Sequence, residues 1–177
     1  MTLELVNLDQ TIRALMLEEM AFDLAQNRLY ISPYLSGQGV HDYPNLLREA
    51  IEHGDDDTLA ESLRAQRRIE RTGHRRKTSG GYTIVTVPDN AADMLAQDAF
   101  NRYYIRAVCR RALELGVDDV VIYRARPSAQ PRPESEELIE TTIDAADLLE
   151  DLRLHTGEEP ELGVPSGPNS GISVHLP

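Results

Sequence analysis

Two short runs, YTIVTV at 82–87 and VDDVVIYR at 117–124, flank a long stretch of helical periodicity, and this arrangement decides the reading of the fold. Val, Ile, Thr and Tyr suit the pleated, half-buried surface of a sheet. Pro88 ends the first run, Asp89 or Asn90 can cap the following helix, and Gly116 closes that helix after Leu115, with a break allowed near Gln97. Strand, long helix, strand predicts a crossover unit with its two strands side by side and parallel. A two-stranded sheet is marginal by itself, so helices must cover it or further strands must join it.

Working back toward the N-terminus, residues 74–81 (HRRKTSGG) are basic and glycine-rich and read as a loop. A helix is expected over 58–72, closed by Gly73, with Asp55, Asp56 and Asp57 before its start. Carboxylates there and arginines at its far end both complement the helix dipole. The Asp run lacks the alternate ligands, glycine and distal Glu of a calcium loop. Another helix is expected over 43–53, with Asp42 as cap, Pro44 in the first turn and Gly54 after the end. Pro33, Gly37 and Gly39 make 29–40 irregular, and Tyr30, Ile31, Tyr34 and Leu35 make it apolar enough to be docked on something. Leu8, Ile12, Leu15, Met16, Met20 and Leu24 repeat near the helical period, predicting a helix over 8–27.

Toward the C-terminus, the fold expected is α+β or α/β, predominantly helical, with a small sheet from the strands near 82–87 and 117–124 and an extended tail. A mainly helical core spans 1–126. A proline-rich linker follows at 127–133, then an acidic helical segment at 134–156 and a Pro/Gly-rich tail at 157–177 ending in the strand-like GISVHL. That tail is expected to lie along its own domain or along a neighbour as an added strand. Ile172, Val174 and Leu176 are its candidate partner-contacting residues.

The formal net charge is −12, unevenly placed. From Arg64 to Arg111 there are eleven basic residues against four acidic, a local +7, leaving −19 for the rest. Residues 134–161 hold eleven acidic residues and one basic, Arg153. Such segregation suits a binding face or self-complementary subunits, or else solvated helix faces of opposite sign. Arg67, Arg68, Arg71, Arg75, Arg76 and Lys77, with Arg102, Arg106 and Arg110 spaced by four on one helix face, form the candidate basic face. It would take phosphates, with Tyr103 and Tyr104 available for stacking, or carboxylates of this or another copy.

Several chemistries lack their residues. Lys77 is the only lysine and follows Arg76, so no phosphate loop of the glycine–lysine type exists. His41, His53, His74, His155 and His175 lack the short spacing of a zinc site, and no serine elbow is present. Cys109, the single cysteine, lies mid-helix with no adjacent histidine and reads as an inert core thiol; it cannot form an internal disulfide, so a reducing, cytoplasmic setting is expected. No apolar run reaches membrane-spanning length, and the first nine residues lack the pattern of a signal peptide. Asp118, Asp119, Glu134, Glu136 and Glu137 could gather round a magnesium ion as in a nuclease, but no basic residue accompanies them at a set spacing.

The function expected is therefore a non-enzymatic subunit of a large protein assembly, such as a virus-like particle, joined through extended termini and opposite-charge surfaces. No cofactor, metal or membrane is called for. A homo-oligomer or larger complex is the expected partner. The alternative is a nucleic-acid-binding module using Arg64 to Arg111, and a metal-dependent hydrolase is the distant third.

Overall fold

In the computed structural model, residues 2–76, 78, 80–127, 133–167 and 170–177 are described, without the side chains of His74, Arg75, Arg76 and Glu134. Helix α1 spans Gln10–Ala25, started by the Asp9 carboxylate, which accepts from the Ile12 N–H at 2.9 Å. Helix α2 spans Gly37–His53 and α3 spans Asp56–Arg64, the latter held by a reciprocal cap between Asp55 and Thr58. A short hairpin follows, β1 (Thr72–Arg76) and β2 (Tyr82–Thr86). Then come the long helix α4 (Ala91–Glu114), β3 (Asp119–Arg124), the short α5 (Pro133–Glu137), β4 (Thr142–Asp144), α6 (Ala145–Leu154) and β5 (Ile172–His175). Among the described residues the helical share is 51% against 13% strand, so the mixed α+β class with dominant helices holds.

The axis of the molecule is α4. Of its 24 residues, 17 are buried, on every side of the helix, as required of a helix surrounded by others. Helices α1, α3 and α6 pack around it, and the sheet containing β3 and β5 covers the remainder. Phe100, Tyr104, Ile105 and Val108 meet Met16, Leu47, Ile51, Leu59, Leu148 and Val174 in one continuous core. No helix among the described residues is long and apolar enough to cross a membrane.

The two strands that suggested a crossover unit are both present, but they do not pair. β2 pairs antiparallel with β1, and β3 sits between β4 and β5, antiparallel to both. With both edges of β3 occupied by later parts of the chain, no edge remains for β2. β1 is separated from β2 by only five residues, so closing that loop costs little entropy.

Other boundaries shift for local reasons. α2 begins six residues earlier than the Asp42 cap suggested, because the Ser36 hydroxyl accepts from the Gly39 N–H at 3.1 Å. Pro44 consequently lies inside the helix, where the carbonyl it leaves without a donor belongs to the exposed Val40. Gly39 has no room for a side chain: a Cβ there would stand 2.1 Å from the Arg68 carbonyl oxygen. α3 stops at Arg64, not near Thr72, since Gln66 and Arg67 take positive φ (53° and 58°) and redirect the chain into β1. Of the basic segment 74–81 read as a loop, residues 74–76 are thus strand. The apolar 29–40 segment is docked, as expected: Leu35 bridges Ile69, and Tyr34 O accepts from Glu70 N at 2.8 Å.

The linker expected at 127–133 lies mostly outside the described residues. The acidic segment joins the core through Leu148 and Leu152 of α6. The tail folds back on its own chain, ending as a strand of the β3 sheet.

Candidate interaction surface

Arg102, Arg106 and Arg110 do lie along one side of α4, but Arg102 and Arg106 are buried and Arg110 is half-buried. Arg106 is buried, its Nη1 2.6 Å from Asp23 Oδ2 and its Nε 2.9 Å from Glu19 Oε2. The Tyr103 hydroxyl also donates to Asp23, at 2.8 Å, and Arg153 of α6 reaches Glu19 through two nitrogens. Burial by itself would push the Glu19 carboxyl up, but the Arg153 and Arg106 guanidiniums outweigh it and hold it below the ordinary carboxylate range. Arg110 completes the group, at 2.7 Å from Glu18 and 3.3 Å from Glu19. Arg102 pairs with Asp98 and donates to the carbonyls of His155 and Glu158. These arginines lock α1, α4 and α6 together and are withdrawn from the candidate basic face, with Tyr103 and Tyr104 buried beside them.

The remaining members of that face cluster around the hairpin. Arg68 is engaged by Asp42 at 2.8 Å and by the Ser62 carbonyl, whereas Arg67 and Arg71 are exposed. Arg75 and Arg76 belong to β1, standing opposite Thr83 and Tyr82 in the ladder. Lys77 lies outside the described residues. The hairpin is clamped at its base, where Val87 N donates to Arg71 O at 3.0 Å and the Val87 side chain is buried. Beyond the base, its strands pack chiefly on each other. Tyr82 and Ile84 alternate onto one face and are each 69% exposed, the highest exposure of any large apolar residue described. A groove of about 410 Å³ runs along the base between Arg64, Glu70, Arg71, Thr86 and Asp89.

Sequence reasoning placed Tyr82 and Ile84 in a strand but not on an open surface. The signal was there: YTIVT has apolar or β-branched residues on both faces, yet no later strand follows closely enough to cover both.

The tail residues proposed to reach a partner are held by their own chain. Ile172 and Val174 are fully buried. Asn101 of α4 donates to the Ile172 carbonyl at 2.8 Å and accepts from the Ser173 hydroxyl at 2.6 Å. Leu176 N donates to the Asn7 side chain at 2.9 Å. The strand-like GISVHL was expected to lie along its own domain or along a neighbour, and burial of Ile172 and Val174 fixes it on its own chain.

Of the acidic residues offered to a metal, Asp118 and Asp119 lie at the start of β3 and Glu136 and Glu137 in α5, while the Glu134 side chain lies outside what is described. Asp119 and Arg124 stand at opposite ends of β3, about 16 Å apart at the rise of a strand, and Glu136 pairs with Arg124. Among the described residues no three His, Cys, Asp or Glu side chains gather as metal ligands do. Cys109 is fully buried, and burial, with Asp144 adding to it, pushes its thiol far up. A cleft of about 240 Å³ between Tyr30, Tyr34, Met94, Asp98 and Arg102 has its Asp–Arg pair already satisfied.

No protein-family model, curated protein or solved structure matches this chain.

Proposed function

We propose that the chain is a non-enzymatic assembly subunit that grips other copies of itself with the β1–β2 hairpin. The observation carrying this reading is the exposure of Tyr82 and Ile84 on a two-stranded arm within the basic segment. An isolated hairpin of this size is only marginally stable, and a partner covering its apolar face would stabilise it. The partner surface is apolar at its centre and acidic at its rim, because Arg71 precedes β1 and Arg75 and Arg76 belong to it.

A nucleic-acid reading is less well supported. The arginines of α4 that would have extended the basic face are paired inside the protein, and a projecting Ile84 suits a protein surface better than a phosphate backbone. The extended termini drop out of the assembly reading, leaving complementary charge and the arm.

The test is the mass of the full chain by light scattering at low and high salt, beside the double variant Tyr82→Ser/Ile84→Ser. Association at low salt, weakened by salt and abolished in a double variant with unchanged circular dichroism, is expected. A wild type that stays monomeric at low salt, or association that survives the double replacement, overturns the reading.

A further inference from the structure

Independently of the assembly reading, we infer that the cleft beside the first half of α4 binds a small organic ammonium ion with an apolar body. Met94, Asp98 and Arg102 stand on successive turns of α4 and line one side of it. Tyr30 and Tyr34, from the segment joining α1 to α2, line another, with Glu158 and Glu159 from the segment after α6. Both tyrosines are half-buried and both glutamates are exposed. Gly157 holds the Tyr30 ring in place: its φ is 78°, and an added Cβ would stand 2.0 Å from Tyr30 Cδ2. The volume of about 240 Å³ exceeds the roughly 150 Å³ that accommodates a benzene molecule, so a ring with a short chain fits.

The lining selects the sign of the ligand. Three carboxylates, Asp98, Glu158 and Glu159, stand against the one guanidinium of Arg102. Every nitrogen of that guanidinium is committed: Nε donates to Asp98, Nη1 to the His155 carbonyl and Nη2 to the Glu158 carbonyl. An anion would have to compete with contacts that hold α4 to the chain after α6. Asp98 is in the opposite position. Among the described residues its two oxygens share the single Arg102 Nε donor, at 3.1 and 3.2 Å, although a carboxylate offers about four acceptor sites. Its side chain keeps 12% of its surface open, so the remaining sites can accept from an ammonium group without breaking the pair. The Asp98 charge also reaches Tyr30: burial pushes that phenol above its ordinary value, and Asp98 adds to the effect. Tyr30 therefore stays a neutral phenol whose ring face attracts a cation. Met94 and Leu95 offer apolar contact to the rest of the ligand.

Calorimetric titration of the full chain at low salt tests this with three probes of similar shape: phenethylammonium, neutral phenethyl alcohol and anionic hydrocinnamate. Phenethylammonium is expected to bind one per chain, about tenfold or more tighter than the alcohol, and hydrocinnamate to show no saturation. Met94→Trp, which fills the cleft, should abolish binding. Glu158→Gln/Glu159→Gln, at exposed positions, should weaken it about two- to fivefold. No saturable binding of phenethylammonium, or equal affinity for the alcohol, overturns the site. Unchanged binding by a Met94→Trp protein with the circular dichroism of the wild type overturns it too, because the ion would then sit elsewhere. Should Met94→Trp misfold, the glutamate variant decides, and an affinity equal to the wild type's refutes the proposal. Whether the chain associates bears on none of these outcomes.

Discussion

Arg106 of α4 and Asp23 of α1 meet in the interior, nitrogen to oxygen 2.6 Å, with almost no solvent contact on either side chain. Two helices far apart in sequence are joined there by a charge pair that neither could tolerate alone. Glu19, Tyr103 and Arg153 supply the further hydrogen bonds that make the burial bearable.

Replacing Arg106 with Met should leave Asp23 buried without its cation and lower the unfolding free energy by about 3–5 kcal/mol. Arg110→Ala, which breaks a pair whose Glu18 is exposed and a longer 3.3 Å contact to Glu19, which keeps Arg106 and Arg153, should cost about 1 kcal/mol. Urea denaturation of the two variants measures the contrast. Equal effects would mean that the buried network is no stronger than its surface extension.

Ile172→Ala should destabilise by about 2–5 kcal/mol through the cavity it leaves against α4. Deleting 172–177 should abolish the cooperative transition, because β3 would lose a neighbour and Asn101 both of its partners. Thermal melts followed by circular dichroism decide the matter. A truncated chain that melts like the full one would show that β5 is dispensable.

Asp56 carries a pH signature. Its carboxyl accepts from the Leu3 N–H yet is almost fully buried, and burial, with Asp57 and Asp55 beside it, pushes it up from 3.8 to about 6. The folded state then binds the proton more tightly than the unfolded chain. Asp56 therefore favours folding fully below the unfolded value, and that contribution is lost as pH rises toward about 6. In Asp56→Asn, which keeps an acceptor for Leu3, stability relative to wild type should climb across this window and level off above it. Parallel stability–pH curves for the two proteins would rule the shift out.

Cys109 should resist thiol reagents in the native protein at neutral pH and react promptly in denaturant, since it is both fully buried and held as the neutral thiol. Aromatic disulfide titration with and without urea reads this directly. Prompt native labelling would place the thiol outside the core.

Much of the local structure could be read from the residues themselves. Asn90 and Gly116 bound α4 where its ends are expected, although the Asn90 side chain makes no capping hydrogen bond, and α4 runs unbroken through Gln97 because its apolar residues recur on every side. The strands at 82–86 and 119–124 follow from β-branched side chains. Periodicity reports whether a segment can be half buried, which is a property of that segment alone.

What covers each face is a property of the whole chain, and it was decided only in three dimensions. Nothing local distinguishes Arg106 from an exposed arginine four residues along a helix; its burial depends on Asp23 arriving from α1, more than eighty residues away. The strand at 72–76 exists because β2 offers it an edge, overriding the helical tendency of the residues before it. The tail is ordered by α4 and β3, whereas Tyr82 and Ile84 stay open because β1 and β2 pack chiefly on each other. Local propensity is set by neighbours along the chain, while desolvation and charge pairing are set by neighbours across it.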